Sequence, residues 1–220
     1  MLLDAGASVD SDAGNLVEFA AMGAIYAERV LGVERPRVGL LNIGEEDEKG
    51  NSVTRDAHQR LRASDLNFIG NVEGGDIIKH AADVVVCDGF VGNVAIKLFE
   101  GLTTYIFNSL RTDLQQGPLA PLALLALKPG FDRMKGRFDY ERYGGAPLLG
   151  VRGVSIVTHG RARARMVENA VRVAAEAAAA QLPDVIAAWS RSAGPSLAHA
   201  PSAVPGHPEG ASVEPPVVGA

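Results

Sequence analysis

The sequence predicts an α/β fold in which helices cover both faces of a parallel sheet. Strand-length apolar runs alternate along the chain with segments whose apolar residues recur at helical spacing. The runs are apolar throughout rather than at every second position, which is typical of parallel strands buried on both faces. The predicted strands cover residues 2–5, 38–43, 66–70, 83–87 and 154–158.

Helical segments fill the intervals between these runs. Asp10, Ser11 and Asp12 offer N-caps for the first helix, and Gly32 can end it in the left-handed conformation that glycine adopts readily. Further helices are predicted at 52–62, around 76–80 and from about 163 to 181. In a sheet of this kind, ligands bind beyond the carboxyl ends of the strands, so polar residues at those positions are the candidate site.

Composition restricts the function classes. The 220 residues are 47% hydrophobic and carry a net charge of -5, which argues against a general nucleic-acid binder and means that any bound anion must be held locally. The single cysteine excludes an internal disulfide and fits a reducing compartment. The first residues lack the pattern of a signal peptide and no apolar stretch has the length of a membrane span, so a cytoplasmic location is expected.

Two regions depart from the repeating pattern. Residues 190–220 are rich in Pro, Ala, Gly and Ser and are predicted to form a disordered tail after a domain at 1–189. Residues 109–138 combine prolines, leucines and bases. They are interpreted either as a helical hairpin packed on its own domain or dimer partner, or as a contact with an anionic membrane surface. The membrane candidates are Leu122, Leu124, Leu125 and Lys128.

The turn after the second predicted strand is the first candidate anion site. Asn42 and Gly44 open it, and Lys49 near its end is its only cation. Glycines let backbone amides approach a ligand, and the helix that follows presents its N-terminus, which favours an anion. The four acids at 45–48 would repel phosphate unless they point away, so a solvated acidic loop is the alternative interpretation.

A second candidate turn follows the strand at 83–87. Asp88, Gly89, Gly92 and Asn93 lie between this strand and a helix, and the Asn93 amide could donate to an oxyanion. The alternative is a tight turn in which Asp88 only caps the helix.

Other reactive side chains give weaker signals. Cys87 lies in an apolar run, so a structural role is expected. His159 ends a predicted strand at the ligand edge, where catalysis, capping and core packing all remain open. His58 and His80 fall in predicted helices and are expected at the surface. No spacing of His, Asp or Glu indicates a metal site, and no cofactor is implied.

Five blocks of the sequence, in order, resemble blocks of the bacterial phosphate acyltransferase family. They are LLDAGASVD, VGLLNIGEEDEKGN, NFIGNVEG, ADVVVCDGFVGNVAIK and YGGAPLLGV, and the resemblance runs from about residue 2 to about residue 180. The family implies a Rossmann-like fold of the isocitrate/isopropylmalate dehydrogenase-like type, here with an inserted helical hairpin. It also implies transfer of a fatty acyl group from acyl carrier protein to inorganic phosphate in phospholipid synthesis, as a homodimer that associates peripherally with the membrane and supplies a membrane glycerol-3-phosphate acyltransferase.

The resemblance assigns expected roles to the candidate residues. Lys49 would hold phosphate or the developing charge, Asn93 and the amides around Gly92 would orient it, Asp88 would shape the turn, and His159 is a further candidate. This sequence departs from the family's pattern in two places. The family's N-terminal DAMGGD-type segment does not appear in this sequence, so an N-terminally truncated chain is expected, and a catalytically inactive remnant is one alternative. The other alternative is a phosphotransacetylase-like enzyme that uses acyl-CoA and shares the phosphate site. Arginines rather than small polar residues follow His159-Gly160.

Overall fold

Four parallel strands form the central sheet of the protein, in the order β1-β4-β2-β3. The strands are β1 (Leu2–Leu3), β2 (Val38–Leu41), β3 (Phe68–Val72) and β4 (Val84–Val86). The structure is a computed structural model that describes residues 1–115, 127–131, 133–134, 136, 144–160 and 162–192. The predicted α/β architecture with a parallel sheet is confirmed.

Helices with fully described bounds surround this sheet or extend from it. They are α1 (Ala13–Arg29), α2 (Ser52–Arg62), α3 (Gly74–Lys79), α4 (Gly89–Leu114), α5 (Ala164–Ala179) and α6 (Leu182–Ser192). Asp12 caps α1 through a reciprocal pair of hydrogen bonds with Asn15, and Gly32, beyond the end of this helix, has the expected positive φ of 69°. None of these helices combines the length and apolar character that crossing a bilayer requires.

The main core lies between the sheet and helices α1 and α2. Because side chains alternate along a strand, Val38 and Leu40 of β2 point to the same face as Val84 and Val86 of β4, and all four are fully buried. Leu61 of α2 joins them. A smaller cluster on the opposite face contains Val72, Val85 and the partly buried Leu2, Leu41 and Ile77.

The prediction that residues 154–158 extend the parallel sheet is wrong. Ile156–Val157 (β6) instead pairs antiparallel with Ala146–Pro147 (β5) in a separate two-stranded sheet. Val157 is 58% exposed there, so this apolar run is not a buried strand. A short apolar run has no periodicity that distinguishes these two environments.

Helix α6 lies across the predicted boundary at residue 189, and the tail beyond Ser192 lies outside the described residues. Of the predicted hairpin at 109–138, residues up to 114 belong to α4, and Leu122, Leu124 and Leu125 lie outside the described residues. Lys128 lies in a described helical stretch, 127–131, and is exposed.

Candidate active site

The turn after β1 is organised by Asp4, which is 5% exposed. Its carboxylate accepts hydrogen bonds from the backbone N–H groups of Gly6 at 2.9 Å, Ala7 at 3.0 Å and Ser8 at 2.7 Å. Three charge-assisted bonds satisfy the buried carboxylate and fix the turn. Sequence reasoning missed Asp4 because it treated residues 2–5 as one apolar run. The available signal was an acid directly followed by four small residues.

Helix α4 begins in contact with this turn because two of its residues are glycines. A Cβ atom at Gly89 would overlap the carbonyl oxygen of Ser8, and one at Gly92 would overlap the carbonyl oxygen of Asp4. Any larger residue would therefore push the helix away. The glycines of the predicted anion turn thus let the start of α4 approach the end of β1.

Asp88 caps α4, as one of the two interpretations of this turn predicted. Its side chain accepts a hydrogen bond from the Val91 N–H at 2.8 Å. Asn93 lies one turn into the helix, next to Gly6, where a Cβ would come within 3.5 Å of the Asn93 side chain. The turns after β1 and β4 are therefore neighbours at the same edge of the sheet.

The acidic loop, residues 45–49, connects β2 with the N-terminus of α2. Asn42 braces it from the end of β2: its amide donates to the Lys49 carbonyl oxygen at 3.0 Å, and its side-chain oxygen accepts from the Ile43 N–H at 2.9 Å. Gly44 lies under the Lys49 side chain, since a Cβ there would be 3.1 Å from the Lys49 Cγ. Asn51 caps α2 by accepting a hydrogen bond from the Thr54 N–H at 2.9 Å.

Cations outside the loop offset the acids that would otherwise repel an anion. Asp47 forms an ion pair with Arg62 of α2 at 2.7 Å. The pKa of Lys79 is raised, mainly by its hydrogen bond to Asp76 and to a lesser extent by the nearby carboxylates of Glu45 and Glu73. Asp47 of the loop is therefore paired with a cation, which reduces the repulsion between this loop and an anion.

A cavity of about 730 Å³ opens at the carboxyl ends of β2 and β4. Both α2 and α4 begin at this cavity, since their N-cap residues Asn51 and Asp88 line it. Its wall is mostly apolar, and the carboxylates among its described lining residues are those of Asp10 and Asp88. The apolar lining residues are Val9, Leu16, Leu40, Leu41, Ile43, Val53, Phe90 and Val91.

The structure brings some of the predicted site residues together and separates others. Asn42 and Asp88 both line the cavity. Lys49 directly precedes the lining residue Gly50, and Asn93 lies two residues beyond the lining residue Val91. His159 follows β6 of the separate two-stranded sheet and is exposed.

Cys87 has the structural environment that the sequence predicted. It is buried, and its Sγ lies 3.4 Å from the Asp4 carbonyl oxygen. Burial, with smaller contributions from the nearby carboxylates of Asp88 and Asp4, raises the pKa of its thiol to about 12. The thiol therefore stays protonated near neutral pH and is a poor nucleophile.

The surface prediction for His58 is wrong, because this residue is 4% exposed. It lies on the buried side of α2, where its ring packs edge-to-face with that of Phe68 at 5.1 Å between centroids. His80 is exposed, as predicted, and follows α3 in the left-handed conformation with φ of 56°. Within the described residues, no group of three or more His, Cys, Asp or Glu side chains could hold a metal ion.

Comparison with known proteins identifies the family. The family model described as "Fatty acid synthesis protein" matches residues 1–185. The chain belongs to this fatty acid synthesis protein family. Similar members are named phosphate acyltransferase: one from Syntrophotalea carbinolica is 47% identical over 197 residues, which are 90% of this chain and 57% of the relative. Another from Heliobacterium modesticaldum is 51% identical over 174 residues, 79% of this chain and 52% of the relative.

A third relative, from Acidobacterium capsulatum, is also named phosphate acyltransferase. It is 51% identical over 180 residues, which are 82% of this chain and 53% of the relative. The chain therefore spans about half the length of the relatives it matches. Residues 1–185, which the family model matches, include the turns after β1, β2 and β4 and the cavity at the ends of β2 and β4.

Proposed function

We propose that this protein acts in phospholipid synthesis by transferring a fatty acyl group from acyl carrier protein to inorganic phosphate, which yields an acyl phosphate. The observation that carries the proposal is the cavity at the ends of β2 and β4, onto which the N-termini of two helices open. It is supported by about 50% identity to proteins named phosphate acyltransferase. The fold is proposed to be the Rossmann-like type of isocitrate and isopropylmalate dehydrogenases.

The phosphate is proposed to bind where α2 and α4 begin. Each helix N-terminus carries partial positive charge and N–H groups that point outward. Lys49 supplies the full positive charge beside α2, and Asn93 supplies an amide donor on the first turns of α4. Gly89 and Gly92 keep the backbone amides of α4 close to the end of β1. Asp88, whose carboxylate is held by the Val91 N–H, positions this N-terminus rather than the anion.

The acyl chain is proposed to enter the apolar part of the same cavity. Val9, Ile43 and Phe90 are exposed members of a wall that offers few polar partners, so burying a hydrocarbon chain there is favourable by about 0.8 kcal/mol per methylene group. The thioester carbonyl would then lie next to the helix N-termini. This arrangement places the two reacting groups together at the mouth of one cavity.

The reaction needs a phosphate oxygen to attack the thioester carbonyl carbon. The C–O bond forms as the carbonyl becomes a tetrahedral oxyanion, and collapse of this intermediate breaks the C–S bond and releases the carrier thiolate, which takes up a proton from solvent. Backbone N–H groups and the Asn93 amide are proposed to donate to the oxyanion, while Lys49 offsets the phosphate charge. His159, which follows β6, is proposed as a further contributor. No enzyme nucleophile is required, in keeping with the protonated state of Cys87.

The direct test is to supply the purified protein with fatty acyl carrier protein and inorganic phosphate and to detect acyl phosphate by hydroxamate trapping. We expect phosphate-dependent product with the carrier-protein thioester and much less with acyl-CoA. Preference for acyl-CoA would instead support the alternative enzyme. A folded chain that forms no acyl phosphate from either donor would contradict the proposed activity and favour an inactive remnant.

The proposed partners are acyl carrier protein, inorganic phosphate, a second copy of the chain and a membrane glycerol-3-phosphate acyltransferase. Helix α4 supports the dimer proposal, because large apolar side chains along it are exposed, including Leu98 at 69% and Tyr105 at 70%. Such a stripe is typical of a surface that another protein covers. The proposed location is the cytoplasm, with peripheral association with the membrane.

Membrane contact is proposed for the segment that contains Leu122, Leu124, Leu125 and the exposed Lys128. Leucines flanked by bases gain from both acyl-chain burial and the negative surface potential of anionic lipid. Replacing Leu124 and Leu125 together by Glu is expected to abolish cosedimentation with liposomes of phosphatidylglycerol. Retained cosedimentation of a folded double variant would contradict this contact.

A further inference from the structure

The acidic loop is attached to α2 and β3 by three side chains, those of His58, Arg62 and Asn71. The Arg62 guanidinium lies 2.7 Å from one carboxylate oxygen of Asp47, and His58 Nε2 lies 3.3 Å from the other. Asn71 of β3 donates its amide to the Glu46 carbonyl oxygen at 2.7 Å. The middle of the loop is thus attached to α2 and β3.

The contact between His58 and Asp47 joins a buried side chain to an exposed one. The imidazole is buried against Phe68, whereas the side chain of Asp47 is 63% exposed. Among the described residues, His58 Nε2 has no hydrogen-bond partner of good geometry, although the Asp47 carboxylate lies within reach. A buried polar atom without a partner is costly, so a small movement of Asp47 that completes this bond is favourable.

The loop carries Lys49 two residues beyond Asp47. The Lys49 N–H donates to the Glu46 carbonyl oxygen at 3.1 Å, and its Cγ lies over Gly44. Fixing Glu46 and Asp47 therefore fixes the backbone from which the Lys49 side chain extends. It also holds the Asp47 carboxylate toward α2.

We propose that His58 is a positioning residue that acts through Asp47 to hold Lys49 at the anion site. This inference rests on the proposed function, because it assigns the phosphate-binding charge to Lys49. His58 does not touch the substrate. Its loss should weaken phosphate binding while leaving the binding of the acyl donor unchanged.

The test compares His58→Leu, which fills the space without a polar group, with His58→Gln, whose amide can still donate to Asp47. We expect His58→Leu to raise the KM for phosphate about tenfold, the scale seen when a group that orients a ligand-binding side chain is removed. The KM for the acyl donor should not change, and His58→Gln should stay close to the wild type. Asp47→Asn should also raise the KM for phosphate, because it weakens the His58 contact and the Arg62 ion pair together.

Hydrogen exchange of the backbone amides at 44–50 tests whether His58 holds the loop without any measurement of activity. Its outcome is therefore independent of the proposed function. His58→Leu should increase exchange in this segment and His58→Gln should not. Unchanged exchange in His58→Leu, or equal phosphate KM values in a folded His58→Leu protein and the wild type, would overturn the proposal. If the wild type forms no acyl phosphate, the proposed function fails, and the exchange result still decides whether His58 holds the loop.

Discussion

Replacing Gly92 by alanine is expected to destabilise the protein by about 3 kcal/mol, near the upper end for forcing an extra methyl group into a packed site. The added Cβ would overlap the Asp4 carbonyl oxygen and lie 3.1 Å from the Cys87 Sγ. Because the oxygen belongs to the backbone of the turn after β1, relief requires α4 or that turn to move. Urea denaturation followed by circular dichroism measures the change in unfolding free energy.

Gly101 provides the matched control in the same helix. A Cβ at Gly101 meets no atom within 4 Å among the described residues, so Gly101→Ala should gain helix propensity, up to about 1 kcal/mol. The two variants make the same chemical change in one helix and should shift stability in opposite directions. Equal stability of the Gly92→Ala and Gly101→Ala proteins would contradict the close approach of α4 to Asp4.

The Lys49→Ala variant is expected to lower the rate of acyl phosphate formation by about 100-fold or more, the scale for losing a group that stabilises charge in the transition state. Removing this ammonium leaves the phosphate with the partial charges of the helix N-termini, beside a loop that still carries four acids. The measurement is kcat/KM for phosphate at fixed acyl carrier protein thioester. Stability should change little, because Lys49 is exposed.

Lys97→Ala is the control for this variant. Lys97 is also exposed, lies on α4 just beyond Asn93, and pairs with Glu100 at 3.2 Å. Its removal changes the net charge by the same amount without touching the proposed anion site, so activity should stay close to that of the wild type. Equal activity of the Lys49→Ala and wild-type proteins would remove Lys49 from the mechanism.

Local sequence patterns predicted the elements that are determined by local chemistry. Helix α2 occupies Ser52–Arg62, the range predicted, because its apolar residues share one face and Asn51 caps it. Strands β2 and β4 were predicted within one or two residues at each end, since they are apolar throughout and buried on both faces. The same patterns placed Asn42 and Asp88 at the carboxyl ends of neighbouring strands, where the cavity lies.

Contacts between distant parts of the chain could not be predicted in this way. His58 was expected at the surface, but the packing of α2 against β3 buries it beside Phe68. The ion pair between Asp47 and Arg62 spans 15 positions, so the sequence showed an uncompensated acidic loop where the structure has a partly neutralised one. The requirement for Gly92 likewise comes from Asp4, which is distant in the sequence but lies beside it at the same edge of the sheet.

The central claim is that the turns holding Lys49 and Asn93 form one site for an inorganic anion. Anomalous diffraction from crystals soaked in arsenate, a heavier analogue of phosphate, tests it most directly. The account predicts an arsenic peak at the mouth of the cavity, within hydrogen-bonding distance of both the Lys49 ammonium and the Asn93 amide, and no such peak in the Lys49→Ala protein. An arsenic peak bound elsewhere, or Lys49 and Asn93 too far apart to contact one anion, would contradict it.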